Sequence, residues 1–113
     1  MSARVKILDA NEDNFIFERA FVAEQSGVPV PRAIMGGVLC NIETKPGPLA
    51  DGLAFCEPVN PELAQDWPFF VDVDRGTGPE RLWNITRNPR VVAAARRFAE
   101  LSATGQARIG EPL

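Results

Sequence analysis

The stretch NPRVVAAARRFAELSATG, residues 88–105, is the most legible part of the chain, and the rest is read around it. Asn88 carries a side-chain oxygen that can accept a hydrogen bond from a free amide of a first helical turn. Pro89 suits the first helical position, where its missing N–H costs nothing. Val91, Ala94, Ala95, Phe98 and Leu101 recur at helical spacing and form one apolar stripe. Gly105 supplies a stop. The spacing therefore predicts a long helix with one apolar face, which needs a sheet or a partner to cover it.

Upstream, the pattern is mostly that of strands. Residues 4–8 alternate polar and apolar and read as a first strand, followed by a polar break over 9–14. Residues 15–25 fit two periods. Ile16, Phe17, Ala20 and Phe21 suit a helix face ended by Gly27, whereas Phe15, Phe17 and Phe21 suit one face of a strand; the helix is the favoured expectation. Pro29 and Pro31 forbid helix over 28–32 and suit an extended edge or loop. Residues 34–44 read as a strand with Gly36-Gly37 as a bulge or close approach. A turn at 45–48 then returns the chain as a strand over 53–57. Asn60-Pro61 repeats the cap signal for a short helical turn to Asp66, ended by Trp67-Pro68. Residues 69–73 read as a central strand, 74–78 as a glycine-rich loop, and Pro79 as the start of a helical turn running to Arg87. Together these predict an α+β fold: one domain over 1–113, four to five mostly antiparallel strands packed against one long C-terminal helix, and a mobile tail over 106–113.

Composition excludes several chemistries. The 113 residues contain no His and no Tyr, which removes His-based acid/base catalysis, His metal ligation and a Ser-His-Asp triad within one chain. Two Cys cannot alone complete a four-ligand zinc site. No cofactor is implied. No apolar run approaches the ~20 residues of a membrane span. The first residues, MSARVK, lack the apolar core of a signal peptide, so the expectation is a cytoplasmic protein with no membrane association. The net charge of −3 hides an asymmetry. Residues 1–80 carry 13 acids and 6 bases, a balance of −7, and residues 81–113 carry 6 Arg against Glu100 and Glu111, a balance of +4.

Three groups of residues are candidates for function. The loop with Asp72, Asp74, Arg75, Gly76 and Gly78 is expected to join a strand to a helix start, a junction that can aim backbone amides at an anion. It matches neither GxxxxGK[ST] nor GxGxxG, and Gly76 stands where an EF-hand ligand belongs, so no nucleotide or calcium fingerprint is present. Asp72 and Asp74 fall on one strand face, where two carboxylates are ordinarily solvated. Cys40 and Cys56 face each other if the hairpin turn centres on Pro48, within disulfide reach; the alternative is two small buried thiols in a reducing compartment. Arg87, Arg90, Arg96 and Arg97 cluster on and before the long helix, as a solvated face or as an acceptor for an acidic surface. The proline-ordered segment with Val28, Val30 and Ile34 is the expected apolar contact beside them. Trp67, Trp83, Phe69 and Phe70 read as core. Nucleic acid is not expected, because the chain is acidic and the basic patch lacks interleaved exposed aromatics.

Two functions follow. The first is a non-enzymatic assembly or interaction protein, an accessory subunit or small structural component that associates with itself or with an acidic protein partner. The second is a small-molecule or anion-binding domain, or a small carboxylate-based enzyme, using the Asp72–Gly78 loop.

Overall fold

A computed structural model describes residues 6–10, 16–43, 52–66 and 70–113. The chain is a small α+β domain with two antiparallel sheets and one C-terminal helix. Strands are β1 (Lys6–Ala10), β2 (Phe17–Gln25), β3 (Val28–Met35), β4 (Val38–Glu43), β5 (Ala54–Pro58), β6 (Phe70–Asp74), β7 (Pro79–Trp83) and β8 (Ile85–Thr86), and α1 is Pro89–Ala103. A 3-10 helix over Pro61–Asp66 follows Asn60, whose side chain accepts from the Glu62 amide at 3.1 Å, as the cap signal predicts. The larger sheet has the order β2-β3-β4-β5-β8 and the smaller β1-β6-β7, so β6 is central.

Side-chain alternation along β5 sorts the layers. Ala54 and Cys56 are buried in a cluster with Ala33, Met35, Cys40 and Ile42 of the sheet and Val91, Val92, Ala94 and Ala95 of α1. Phe55, on the opposite face, packs into a second cluster with Leu53, Val71, Val73 and Ile85. The helix therefore covers one face of the larger sheet, and the smaller sheet covers the β5–β8 end of the other. Asn84 makes the corner between the sheets. It is the single residue between β7 and β8, it adopts φ 61, and its carbonyl accepts from the Cys56 amide at 2.8 Å.

Both ends of α1 are closed by local bonds. Thr86 Oγ1 accepts from the Asn88 amide at 2.9 Å, and Asn88 Oδ1 accepts from the Arg90 amide at 3.0 Å. At the other end Gly105, at φ 69, donates to Ser102 O, and Gln106 donates to Leu101 O at 2.7 Å; this paired closure is a Schellman motif. Val91, Ala94 and Ala95 of the expected stripe are buried, together with Val92, whereas Phe98 and Leu101 are half-buried. Residues 106–113, read from sequence as a tail, turn back along β2. Gly110 donates to Val22 O, Val22 to Glu111 O and Leu113 to Ala20 O, at 2.7–2.9 Å.

Several expectations are corrected. Residues 17–25 form a strand, not a helix, because Ser26 and Gly27 (φ 52 and 80) make a two-residue turn that pairs β2 with β3 over its full length. Gly36-Gly37, at φ 56 and 79, is likewise a hairpin turn between β3 and β4, not a bulge. Pro29 and Pro31 are tolerated within β3 because the β3–β4 ladder begins at Arg32, opposite Asn41. Val22, opposite Pro31, directs its own N–H and carbonyl to residues 110 and 111, so this pair needs no proline donor toward β2. Pro79 opens strand β7 rather than a helical turn. Cys56 lies opposite Ile42 and Cys40 opposite Pro58, so the two cysteines are not directly opposed; both are buried and neither is in a disulfide. Trp83, expected in the core, is 55% exposed. The turn at 45–48 and the residues Phe15, Trp67 and Phe69 lie outside the described residues.

Candidate functional site

The first three strands of the larger sheet form a meander through two tight turns, and this fixes what the face turned away from α1 presents. Cross-strand register gives rows. Arg19, Ile34 and Leu39 make one row, and Phe21, Arg32, Asn41 and Glu57 the next. Ala23 lies opposite Val30, and Gln25 opposite Val28. The other face of these strands lies under α1, and the smaller sheet reaches only the β5–β8 end. Outward positions of a solvated antiparallel sheet are usually polar. Here they include Phe21, Val28, Val30, Ile34 and Leu39, of which Val28 is 57% and Leu39 38% exposed. The three apolar residues singled out in sequence, Val28, Val30 and Ile34, thus share one face, and Phe21 and Leu39 join them.

Two guanidinium groups lie on this face. Arg19 sits over the Phe21 ring, 5.1 Å from its centroid. Arg32 donates from Nε to Asn41 Oδ1 at 2.9 Å and from Nη2 to Gln25 Oε1 at 3.4 Å. Both acceptors are neutral amides, so they hold the guanidinium without neutralising it. At the row's end the bulge residue Glu18 accepts from the Gly37 amide at 2.6 Å and pins the β3–β4 turn.

The glycine loop is the tip of the β6–β7 hairpin. Its amides are engaged internally: Asp74 Oδ1 accepts from Gly76 at 2.7 Å and from Gly78 at 3.3 Å. Asp72 and Asp74 do project from one face, since Val71 and Val73, which alternate with them, are buried. Asp72, however, is held by Arg81, which donates from Nε at 2.9 Å and Nη2 at 3.1 Å. Those hydrogen bonds hold the Asp72 carboxyl below its ordinary pKa, and the carboxylate raises that of Arg81 in return. Arg81 also stacks 3.7 Å from the Phe70 centroid, with the exposed Trp83 edge-on to Phe70 at 5.5 Å. Arg75 pairs with Glu80 at 3.5 Å. Sequence reading missed Arg81 because a helical turn was expected there; the pairing of residues 72 and 81 across the hairpin exists only once β7 is a strand.

The basic cluster is spread over several environments. Arg90 lies 4.4 Å from the Phe17 centroid, Arg97 approaches Glu111 at 3.9 Å, and Arg87 and Arg96 are exposed. A cleft of about 470 Å³ opens where β3 and β4 part beyond Arg32 and Asn41, between Val30, Ile42, Glu43 and Glu57 of the sheet and Phe98 of α1. Among the described residues no three His, Cys, Asp or Glu side chains gather as a metal site, and no helix is long and apolar enough to cross a membrane. No protein-family model, no curated protein and no solved structure matches the chain.

Proposed function

We propose that this chain is a non-enzymatic assembly or interaction protein, an accessory subunit or small structural component of a larger complex, working in the cytoplasm. The observation that carries the reading is the outer face of β2–β4, which exposes a contiguous set of apolar side chains where water would favour polar ones. Two arginines on the same face, one over an aromatic ring and one hydrogen-bonded to two amides, supply orientation and on-rate, and the apolar residues supply affinity. Two buried cysteines outside any disulfide are in keeping with a reducing compartment.

The test is the mass in solution by light scattering at about 0.05 and 0.5 M salt, which straddles strong and weak screening, together with affinity capture from native lysate. Association with itself or with a defined partner, weakened by salt, is expected. A monomer in both salts with no partner recovered would sink the reading. A second reading, a small-molecule site, is favoured by the cleft beside Phe98, whose volume of about 470 Å³ lies in the range of ligand pockets. It draws less support from the Asp72–Gly78 loop, because both carboxylates there already accept strong hydrogen bonds.

A further inference from the structure

We infer that the occupant of the outer face is a single acidic amphipathic helix from another protein, laid along β2 and β3 with its apolar side on Phe21, Val28, Ile34 and Leu39 and its carboxylates on Arg19 and Arg32. This rests on the proposal that the face is a docking surface, and it names what docks.

Charge selects the sign of the partner. On β2 and β3, where the helix would lie, the outward positions from Arg19 to Gln25 and from Val28 to Ile34 carry two arginines and no acid; the acids of this face, Glu43 and Glu57, stand on β4 and β5. Among the described residues neither guanidinium has a carboxylate partner: Arg19 rests on an aromatic ring and Arg32 on two amide oxygens. A planar guanidinium held in place loses little freedom on meeting a carboxylate and binds it bidentately.

Shape selects a helix. Among the described residues, three strands spaced about 4.8 Å apart leave an uncovered width of about 14 Å, close to the 10–12 Å diameter of one helix. On one side the smaller sheet stands on Phe55 and Ile85 as a wall. Along the strands, the nine residues of β2 span about 30 Å, which accommodates roughly five helical turns. A second copy of the chain fits poorly. A two-fold axis across the strands lays β2 and β3 on themselves in reverse, so that neither arginine meets an acid. An axis along β4 carries β2 of one copy over β8 of the other, where the smaller sheet already stands.

The experiment titrates the isotope-labelled full chain with a 20-residue amphipathic Leu/Glu peptide and with its Leu/Lys counterpart, reading amide shifts by NMR. The acidic peptide is expected to move amides of β2, β3 and β4, and the basic peptide to leave them. Arg19→Glu/Arg32→Glu should raise the Kd at least tenfold with an unchanged Tm, and Arg19→Gln/Arg32→Gln serves if the charge reversal disturbs folding. Equal binding of both peptides, shifts centred elsewhere, or indifference to the arginine changes would overturn the inference. Light scattering separates the two levels. A wild-type dimer that Leu39→Asp turns into monomer overturns the acidic helix but keeps the docking face. A monomer whose face responds to neither peptide overturns both.

Discussion

Arg81 holds together the outer side of the smaller sheet: its guanidinium grips the Asp72 carboxylate with two hydrogen bonds while lying flat on Phe70. Arg81 is exposed and Asp72 half-buried at the surface of the hairpin, so water screens much of the attraction and the pair serves orientation more than stability. The depressed pKa of Asp72 still fixes a direction. Whatever stability the pair adds is present above the ordinary carboxylate value and is lost as pH falls through the lower, folded-state value. Arg81→Gln is expected to move the Asp72 titration, followed by NMR of the side-chain carboxyl, upward toward the ordinary range; an unmoved midpoint would mean another group holds the carboxylate. At this scale the sequence was half legible. Alternation placed Asp72 and Asp74 on one face, but their partners depend on whether the chain returns beside them. Asp74 is satisfied two and four residues on, and Asp72 nine residues on, across a turn that Pro79 disguised as a helix start.

Among the elements, α1 was readable because its signals are local. Cap, Pro at the first position, stripe and terminal Gly all lie within residues 88–105, and the structure uses each of them. The one adjustment is where the stripe stops being core: Val91 is fully buried, while Phe98 reaches the rim of the cleft beside β3 and β4. Val91→Ala should therefore destabilise the domain by about 2 kcal/mol, the loss of two buried methyl groups with their cavity. Phe98→Ala should cost about 1 kcal/mol, well short of the ~3–5 kcal/mol of a core phenylalanine. Denaturant unfolding of both variants checks the order; a larger loss at Phe98 would place it in the core after all. Strand β2 was hard to read for the opposite reason. Ser26-Gly27 ends a helix or turns a hairpin with the same positive φ, and only pairing with β3 decides between them. Reading residues 15–25 as a strand paired with the next segment would have brought Arg19 beside Ile34 and Phe21 beside Arg32, and with them most of the outer face.

For the whole molecule, the arrangement is asymmetric by construction. Helix α1 lies on one face of the larger sheet, the smaller sheet stands on one end of the other, and the face of β2–β4 between them carries apolar side chains and two held arginines. Sequence supplied Val28, Val30 and Ile34 and the expectation of an apolar contact there. It placed the accompanying basic charge on α1, whereas Arg90 and Arg97 are turned to Phe17 and Glu111, and Arg19 and Arg32 stand on the face itself. Asp substitutions separate a docking face from an ordinary core, because a buried charge destabilises a domain severely whereas exposed positions change stability by ~0.5 kcal/mol or less. The most direct measurement is association of folded Val28→Asp/Leu39→Asp, by light scattering for the chain alone and by peptide titration, beside wild type at equal concentration. The account predicts a variant that unfolds within a few degrees of wild type and has lost association at least tenfold. Association at wild-type strength in a folded variant would contradict it.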